Sequence, residues 1–139
     1  MFTGDDYNYS DLIAGDSTGK SHALLGIFDP IAPVASRALV ALAEGNLERY
    51  HQLIAPTVSL SRELFVSPTQ YYKAGVVFLA WLNGHQNHFT MAGGMQSARS
   101  VVHYAEVFRK ADAASVLIRP ELAQRRMGEF LGLHAGIEN

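Results

Sequence analysis

The sequence predicts a mainly α-helical chain in which strand is confined to the N-terminal part. Ala23-Leu24-Leu25-Gly26-Ile27-Phe28 is one continuous apolar run, bounded by Ser21 and by Asp29-Pro30. Such a run suits a strand buried on both faces. From Pro33 onward the apolar residues recur at helical spacing, broken by capping residues and glycines. No strand-like run follows, and only Met1–Thr3 offers a second short strand.

The elements follow in order. Pro33 suits the first turn of a helix running to about Glu44, with Val34, Leu39, Val40 and Leu42 near one face and Gly45 closing it. Asn46 can cap a second helix reaching about Phe65, with Leu47, Tyr50, Leu53, Ile54 and Leu60 inward. Pro56 lies inside that run, which predicts a kink or a break. Ser67-Pro68 starts a third helix ending at Gly84, largely buried through Val76, Val77, Phe78, Ala80 and Trp81. His85–Gly94 is a polar connection. Ser97 to about Ala114 forms a fourth helix with Val101, Val102, Ala105 and Phe108 as its stripe. Arg119-Pro120 opens the last, reaching about His134.

A lone buried strand cannot satisfy its own backbone groups and needs partners on both edges. The inventory is therefore that of the end of a larger α/β protein. Residues 1–45 would hold its last strand–helix units, and residues 46–139 a helical region.

Composition narrows the classes. A chain of 139 residues suits one domain, and with 48% apolar and 17% charged residues it is globular. The net charge is −2 and the 11 Lys and Arg residues are scattered, so no basic stripe exists for nucleic acid. Cysteine is absent, which removes disulfides, thiolate metal sites and cysteine nucleophiles. No apolar run approaches the ~20 residues of a membrane helix, and Met1-Phe2 begins no signal peptide, so the expected setting is cytoplasmic with no membrane partner.

Ala14–Ser21, AGDSTGKS, fits two catalytic signatures at once. One is a relaxed Walker A phosphate loop and the other, Gly15-Asp16-Ser17-Thr18-Gly19, the G-x-S-x-G nucleophile elbow. A phosphate loop needs a strand before it and a long helix starting at the Lys-Ser. Here only Leu12-Ile13-Ala14 precedes, and the following segment reads as strand. The elbow fails on the same context, since Ser17 lacks the strand-to-helix turn. A polar loop joining two elements is the better reading, with nucleotide binding through Ala14–Ser21 the third-ranked function.

The remaining polar candidates are weaker. His22, His51, His85, His88, His103 and His134 fix no triad geometry. His85 and His88 sit in a Gly- and Asn-containing segment with no carboxylate to complete a metal shell, so a loop-stabilising role is expected. Asp5-Asp6 fits either capping chemistry before Asp11-Leu12-Ile13 or contact with a polar substrate. Tyr71, Tyr72, Val76, Phe78 and Trp81 read as core packing before pocket lining.

Several separated segments carry a resemblance. Phe2-Thr3-Gly4-Asp5-Asp6 is followed by Ala23-Leu24-Leu25-Gly26-Ile27 and by Ile31-Ala32-Pro33. Further on come Ala41-Leu42-Ala43-Glu44-Gly45-Asn46 and Leu64-Phe65-Val66-Ser67-Pro68 with Lys73-Ala74. In order and spacing, over about residues 2–110, these resemble the end of the dihydrodipicolinate synthase / N-acetylneuraminate lyase family. Its members carry an S-G-D-D-like turn after strand seven, a G-V-I-S-V-like strand eight, an A-x-E-G-x link and an F-V-E-P-N-P-x-x-V-K stretch.

The resemblance implies a C-terminal fragment of an α/β (β/α)8 TIM barrel, holding its last one or two strands plus a C-terminal helical bundle. It implies a Schiff-base aldolase or lyase acting on a 2-keto acid such as pyruvate, working without a cofactor, and a homo-oligomer. The family's Schiff-base Lys and proton-relaying Tyr lie on earlier strands, and neither is matched here. Lys20, Lys73 and Lys110 are the only lysines, and Lys73 matches a structural helix lysine. No catalytic or metal-binding residue is therefore assigned, and the chain alone is expected to be inactive. The positions carried over are substrate-wall positions: Gly4, Asp6 and Tyr7 after strand seven, and Leu25 and Gly26 on strand eight. Gly26 stands where the family pattern has Ser. A non-enzymatic helical oligomerisation or interaction module is the alternative.

Overall fold

Residues 1–137 are described by the computed structural model. Two short strands, β1 (Phe2–Thr3) and β2 (His22–Ala23), pair in parallel with Phe2 opposite His22 and Thr3 opposite Ala23. Helix α1 (Tyr9–Ala14) makes the crossover between them. Parallel neighbours require such a connection, so this is a compressed βαβ unit. After it the chain is helical: α2 (Phe28–Ala43), α3 (Leu47–Leu64), α4 (Tyr72–Leu82), α5 (Val101–Ala113) and α6 (Pro120–Ala135). Short 3-10 segments at Thr69–Tyr71 and Ala92–Ala98 precede α4 and α5.

The mainly helical class and the N-terminal position of the strands match the expectation. The strand at Ala23–Phe28 does not form as expected. Pairing stops at Ala23, and α2 begins at Phe28 rather than Pro33. Within the apolar run Ile27 enters the helical core, fully buried, while Leu24 is 77% exposed, so the run is not a strand buried on both faces. Pro33 and Pro56 lie inside α2 and α3 without breaking them. Both prolines are exposed, as are Asp29 and Gln52 one turn before them, so the carbonyls that lose an N–H partner can face water.

Helix α2 buries Ile31, Val34, Ala35, Ala38 and Ala41 against α3 and leaves Leu39 and Val40 outside. Its small alanine face permits the close approach. On α3 the Asn46 side chain accepts from Arg49 N at 2.9 Å, as its capping role requires, and Tyr50, Ile54 and Leu60 turn inward. Leu47, expected inside, is exposed. Two buried tyrosines fasten α1 to α3. Tyr50 donates to Ser10 O at 2.8 Å, and the Tyr9 hydroxyl meets Thr57 Oγ1 at 2.7 Å.

The stripe on α5 also differs from the expected one. Val102 is 73% exposed, and the inward face is His103, Tyr104, Val107 and Ala111. Asn83, after α4, holds the α5–α6 connection by donating to Val116 O at 3.0 Å and accepting from Ile118 N at 2.9 Å. One apolar core runs from Tyr9 to Phe130, across the boundary expected at residues 45 and 46. Residues 138 and 139, at the end of the second expected region, lie outside the described residues.

Candidate functional site

All five wall positions collect at one end of the strand pair, where both parallel strands point their C-termini. Gly4 follows β1 directly, and Leu24 N donates to Thr3 O at 3.0 Å across the pair. Asp5 and Asp6 then diverge in role. The Asp5 carboxylate accepts from Tyr7 N at 2.8 Å, Asn8 N at 3.1 Å and Asn8 Nδ2 at 3.1 Å, which closes the turn into α1. Those bonds, the Asn8 side chain first, hold its carboxyl below the usual value.

Asp6 reaches across to the other strand. Its Oδ1 accepts from Ile27 N at 3.1 Å, with the Gly26 N–H also directed at the carboxylate. Burial pushes its carboxyl upward, opposed by these N–H groups and aided by the Asp5 charge. The two adjacent aspartates thus occupy opposite electrostatic settings. Behind them, Ser61 Oγ donates to Asp6 O at 2.5 Å and Arg62 forks onto Tyr7 O at 3.2 Å, so α3 braces the turn.

The Tyr7 hydroxyl donates to Phe65 O at 2.6 Å, leaving its oxygen lone pairs free to accept. Leu25 is half-buried, and its carbonyl accepts from Phe28 N at 3.3 Å. Gly26 lies beneath two stacked rings, Phe65 and Tyr72, whose centroids are 4.5 Å apart. A Cβ at Gly26 would sit 3.1 Å from Phe65 Cζ and 3.2 Å from Tyr72 Cε2. The glycine is there because the rings occupy the space of a side chain.

The Ala14–Ser21 segment is a loop, as its context predicts. Gly15 takes a φ of 76°, Asp16 N donates to Gly19 O at 3.0 Å, and β2 follows without a helix. The Asp16 carboxylate accepts from Thr18 N at 2.7 Å and Gly19 N at 3.3 Å. Those are N–H groups that a phosphate would need. Likewise His88 stabilises its own loop: Nδ1 accepts from Thr90 N at 3.3 Å and its carbonyl from Gln86 Nε2 at 2.7 Å. Among the described residues no group of His, Asp and Glu is placed to hold a metal, and no helix is long and apolar enough to cross a membrane.

One cluster escaped the sequence reading. Glu63 on α3 meets His103 Nδ1 at 3.1 Å with one carboxylate oxygen and Lys110 Nζ at 2.5 Å with the other. Burial, then the nearby Arg99 charge, hold the His103 imidazole below its usual pKa against the pull of Glu63. The ring is oriented by a carboxylate at Nδ1, with Nε2 buried and unpartnered. The available signal was spacing, since His103 and Lys110 stand two helical turns apart on one face of α5.

Over residues 1–137 the sequence matches the family described as "Protein of unknown function (DUF993)". The chain belongs to the DUF993 family. The match spans both the strand pair and the helical region of this DUF993 chain, so neither part is an appendage to it. No curated protein is matched by the sequence.

Proposed function

We propose that this DUF993 chain has the architecture of the last two βα units of a (β/α)8 barrel followed by a helical bundle, related to the dihydrodipicolinate synthase / N-acetylneuraminate lyase family. Its strand ends would form part of the wall of a 2-keto acid site in a Schiff-base aldolase or lyase. The supporting observation is the parallel β1–α1–β2 unit with Asp6, beyond the end of β1, bonded to Ile27 N beyond the end of β2. Barrel enzymes place their chemistry at that end of the strands. Gly4, Asp6, Tyr7, Leu25 and Gly26 are the wall positions, with Asp6 and Tyr7 supplying polar groups and the others backbone and shape.

The wall lacks a nucleophile. Schiff-base chemistry needs a lysine amine that condenses with the keto carbon and releases water. Lys20 lies in the exposed Asp16–Gly19 turn region, Lys73 is exposed on α4, and Lys110 is paired with Glu63. The chain by itself is therefore inactive in this reading, with the lysine supplied by strands beyond this pair. Incubation with pyruvate and borohydride, followed by intact mass analysis, tests this. An unmodified mass is expected, and a reduced adduct on any of the three lysines overturns it.

A non-enzymatic interaction module is the second reading, favoured by the outer face of α2. There Leu39, Val40, Ala32 and Phe28 border an apolar groove of about 470 Å³. Self-association in a cytoplasmic setting follows from either reading, because exposed apolar faces and open strand edges draw partners. A monodisperse monomer by light scattering counts against it.

A further inference from the structure

An aromatic cluster gathers between α4, α5 and α6, away from the strand ends. Phe78 is fully buried at its base and touches Trp81, Phe89, Tyr104 and Phe130, with ring centroids 4.8 to 5.9 Å away. Above it Trp81 and Phe89 stack at 5.9 Å and 18°, while Tyr104 stands edge-on to Phe89 at 5.1 Å. These upper rings line a cavity of about 780 Å³. That volume lies within the range of small-molecule sites, and an apolar floor with a few convergent polar groups is their usual make-up.

Among neutral polar side chains such as Asn87, Gln96 and Ser97, the charged groups are mostly cationic. Arg99, Arg125 and Arg126 line the cavity against a single carboxylate, Glu129, in a chain whose net charge is −2. Arg126 is fixed in place: it lies 5.5 Å over the Trp81 ring and donates to the Trp81 and Gln86 carbonyls. Arg99 is fixed as well, donating to Val66 O at 2.7 Å and Pro68 O at 3.0 Å, while its buried Nε–H has no partner. Arg125 is 69% exposed and only loosely paired with Glu129, at 3.8 Å, so its guanidinium is free to reorient. The first turn of α5, at Ser100 and Val101, borders the same space and adds the positive end of a helix dipole.

We propose that this cavity is a binding site for a small aromatic carboxylate, its ring against Trp81, Phe89 and Tyr104 and its carboxylate held by Arg125 beside the fixed charges of Arg99 and Arg126. Two fixed cationic charges and one mobile guanidinium beside an aromatic floor favour an anion with a planar apolar body, because each half of such a ligand finds its complement. The site is independent of the strand-end reading.

The chain carries its own reporter, since Trp81 is the only tryptophan. Titration of the full chain with 3-phenylpropionate, followed by tryptophan fluorescence, is expected to give a saturable change with a dissociation constant of about 0.1–1 mM. The neutral analogue 3-phenylpropionamide is expected to bind at least about tenfold more weakly. Two exposed positions separate charge from folding. Arg125→Gln is expected to weaken the carboxylate about tenfold, and Glu129→Gln to tighten it about threefold, with neither altering the amide. No saturable change, equal affinity for acid and amide, or indifference to both substitutions would each overturn the proposal.

Discussion

Replacing Gly26 with Ser restores the residue that the resembled family carries at this place, and the structure predicts that it destabilises the chain. The glycine backbone is not the obstacle, since its φ lies outside the left-handed region; the obstacle is space. An added Cβ meets Phe65 Cζ at 3.1 Å and Tyr72 Cε2 at 3.2 Å, so the stacked rings must give by a few tenths of an ångström. Phe65 is only 9% exposed and can give little, whereas Tyr72 is half-buried and can. Overpacking of this kind costs about 1–3 kcal/mol, and a hydroxyl brought against these ring carbons adds to it. A total of about 2 kcal/mol lowers the melting temperature of a chain this size by roughly 8 °C. Urea and thermal unfolding followed by circular dichroism measure it, with Gly26→Ala isolating the steric part. In a Tyr72→Ala background the penalty should fall by about half, because the Tyr72 contact is gone while the Phe65 contact remains. A Gly26→Ser chain as stable as wild type, or an undiminished penalty without Tyr72, would refute the reasoning.

Two further substitutions test one clamp in the helical region and one at the strand ends. Asn83→Ala strips the partners from Val116 O, which is buried, and from Ile118 N, which lies nearer solvent. A loss of about 2 kcal/mol in urea unfolding is expected, and a loss under about 0.5 would contradict the clamp. Asp6 has a carboxyl raised in the folded state by burial, so its charged form costs stability above that folded pKa and the cost disappears as pH falls below the unfolded value. Asp6→Asn, which keeps an acceptor for Ile27 N, should therefore be the more stable chain at pH 7, the gap closing toward acid. A variant less stable than wild type at pH 7 would mean that the N–H bonds from Ile27 and Gly26 outweigh burial.

The helical frame was legible because its ends are written locally. Asn46 caps α3 through its own side chain, Pro120 opens α6, and Ser100 caps α5 three residues inside the predicted start. What failed was burial inferred from apolar character alone. On α5 the buried positions include His103, partnered by Glu63, and Tyr104, whose hydroxyl donates to Gln96 O at 2.5 Å. A count of apolar residues passes over both and selects the exposed Val102. The β2 run failed for the same reason, since Leu24 within it is 77% exposed and continuous apolarity fixes neither burial nor backbone conformation. Only the partner strand decides where pairing ends, and β1 is two residues long.

The site divides the same way. That Gly4–Tyr7 and Leu25–Gly26 belong together came from motif order, whereas the bond that joins them, Asp6 to Ile27 N, spans 21 residues and has no local signature. The aromatic cavity was equally out of reach, because Trp81, Phe89, Tyr104 and Phe130 come from four separate stretches of chain. Their convergence is a property of how α4, α5 and α6 cross.

The most direct test of the strand-end site is a titration of the isotopically labelled chain with pyruvate, read by backbone amide NMR. The account predicts shift changes concentrated at the amides of Gly4, Asp6, Tyr7, Leu25, Gly26 and Ile27, with a weak affinity in the millimolar range, about 1–20 mM. Amides there that stay unmoved at about 50 mM pyruvate, or that move only elsewhere in the chain, would contradict it.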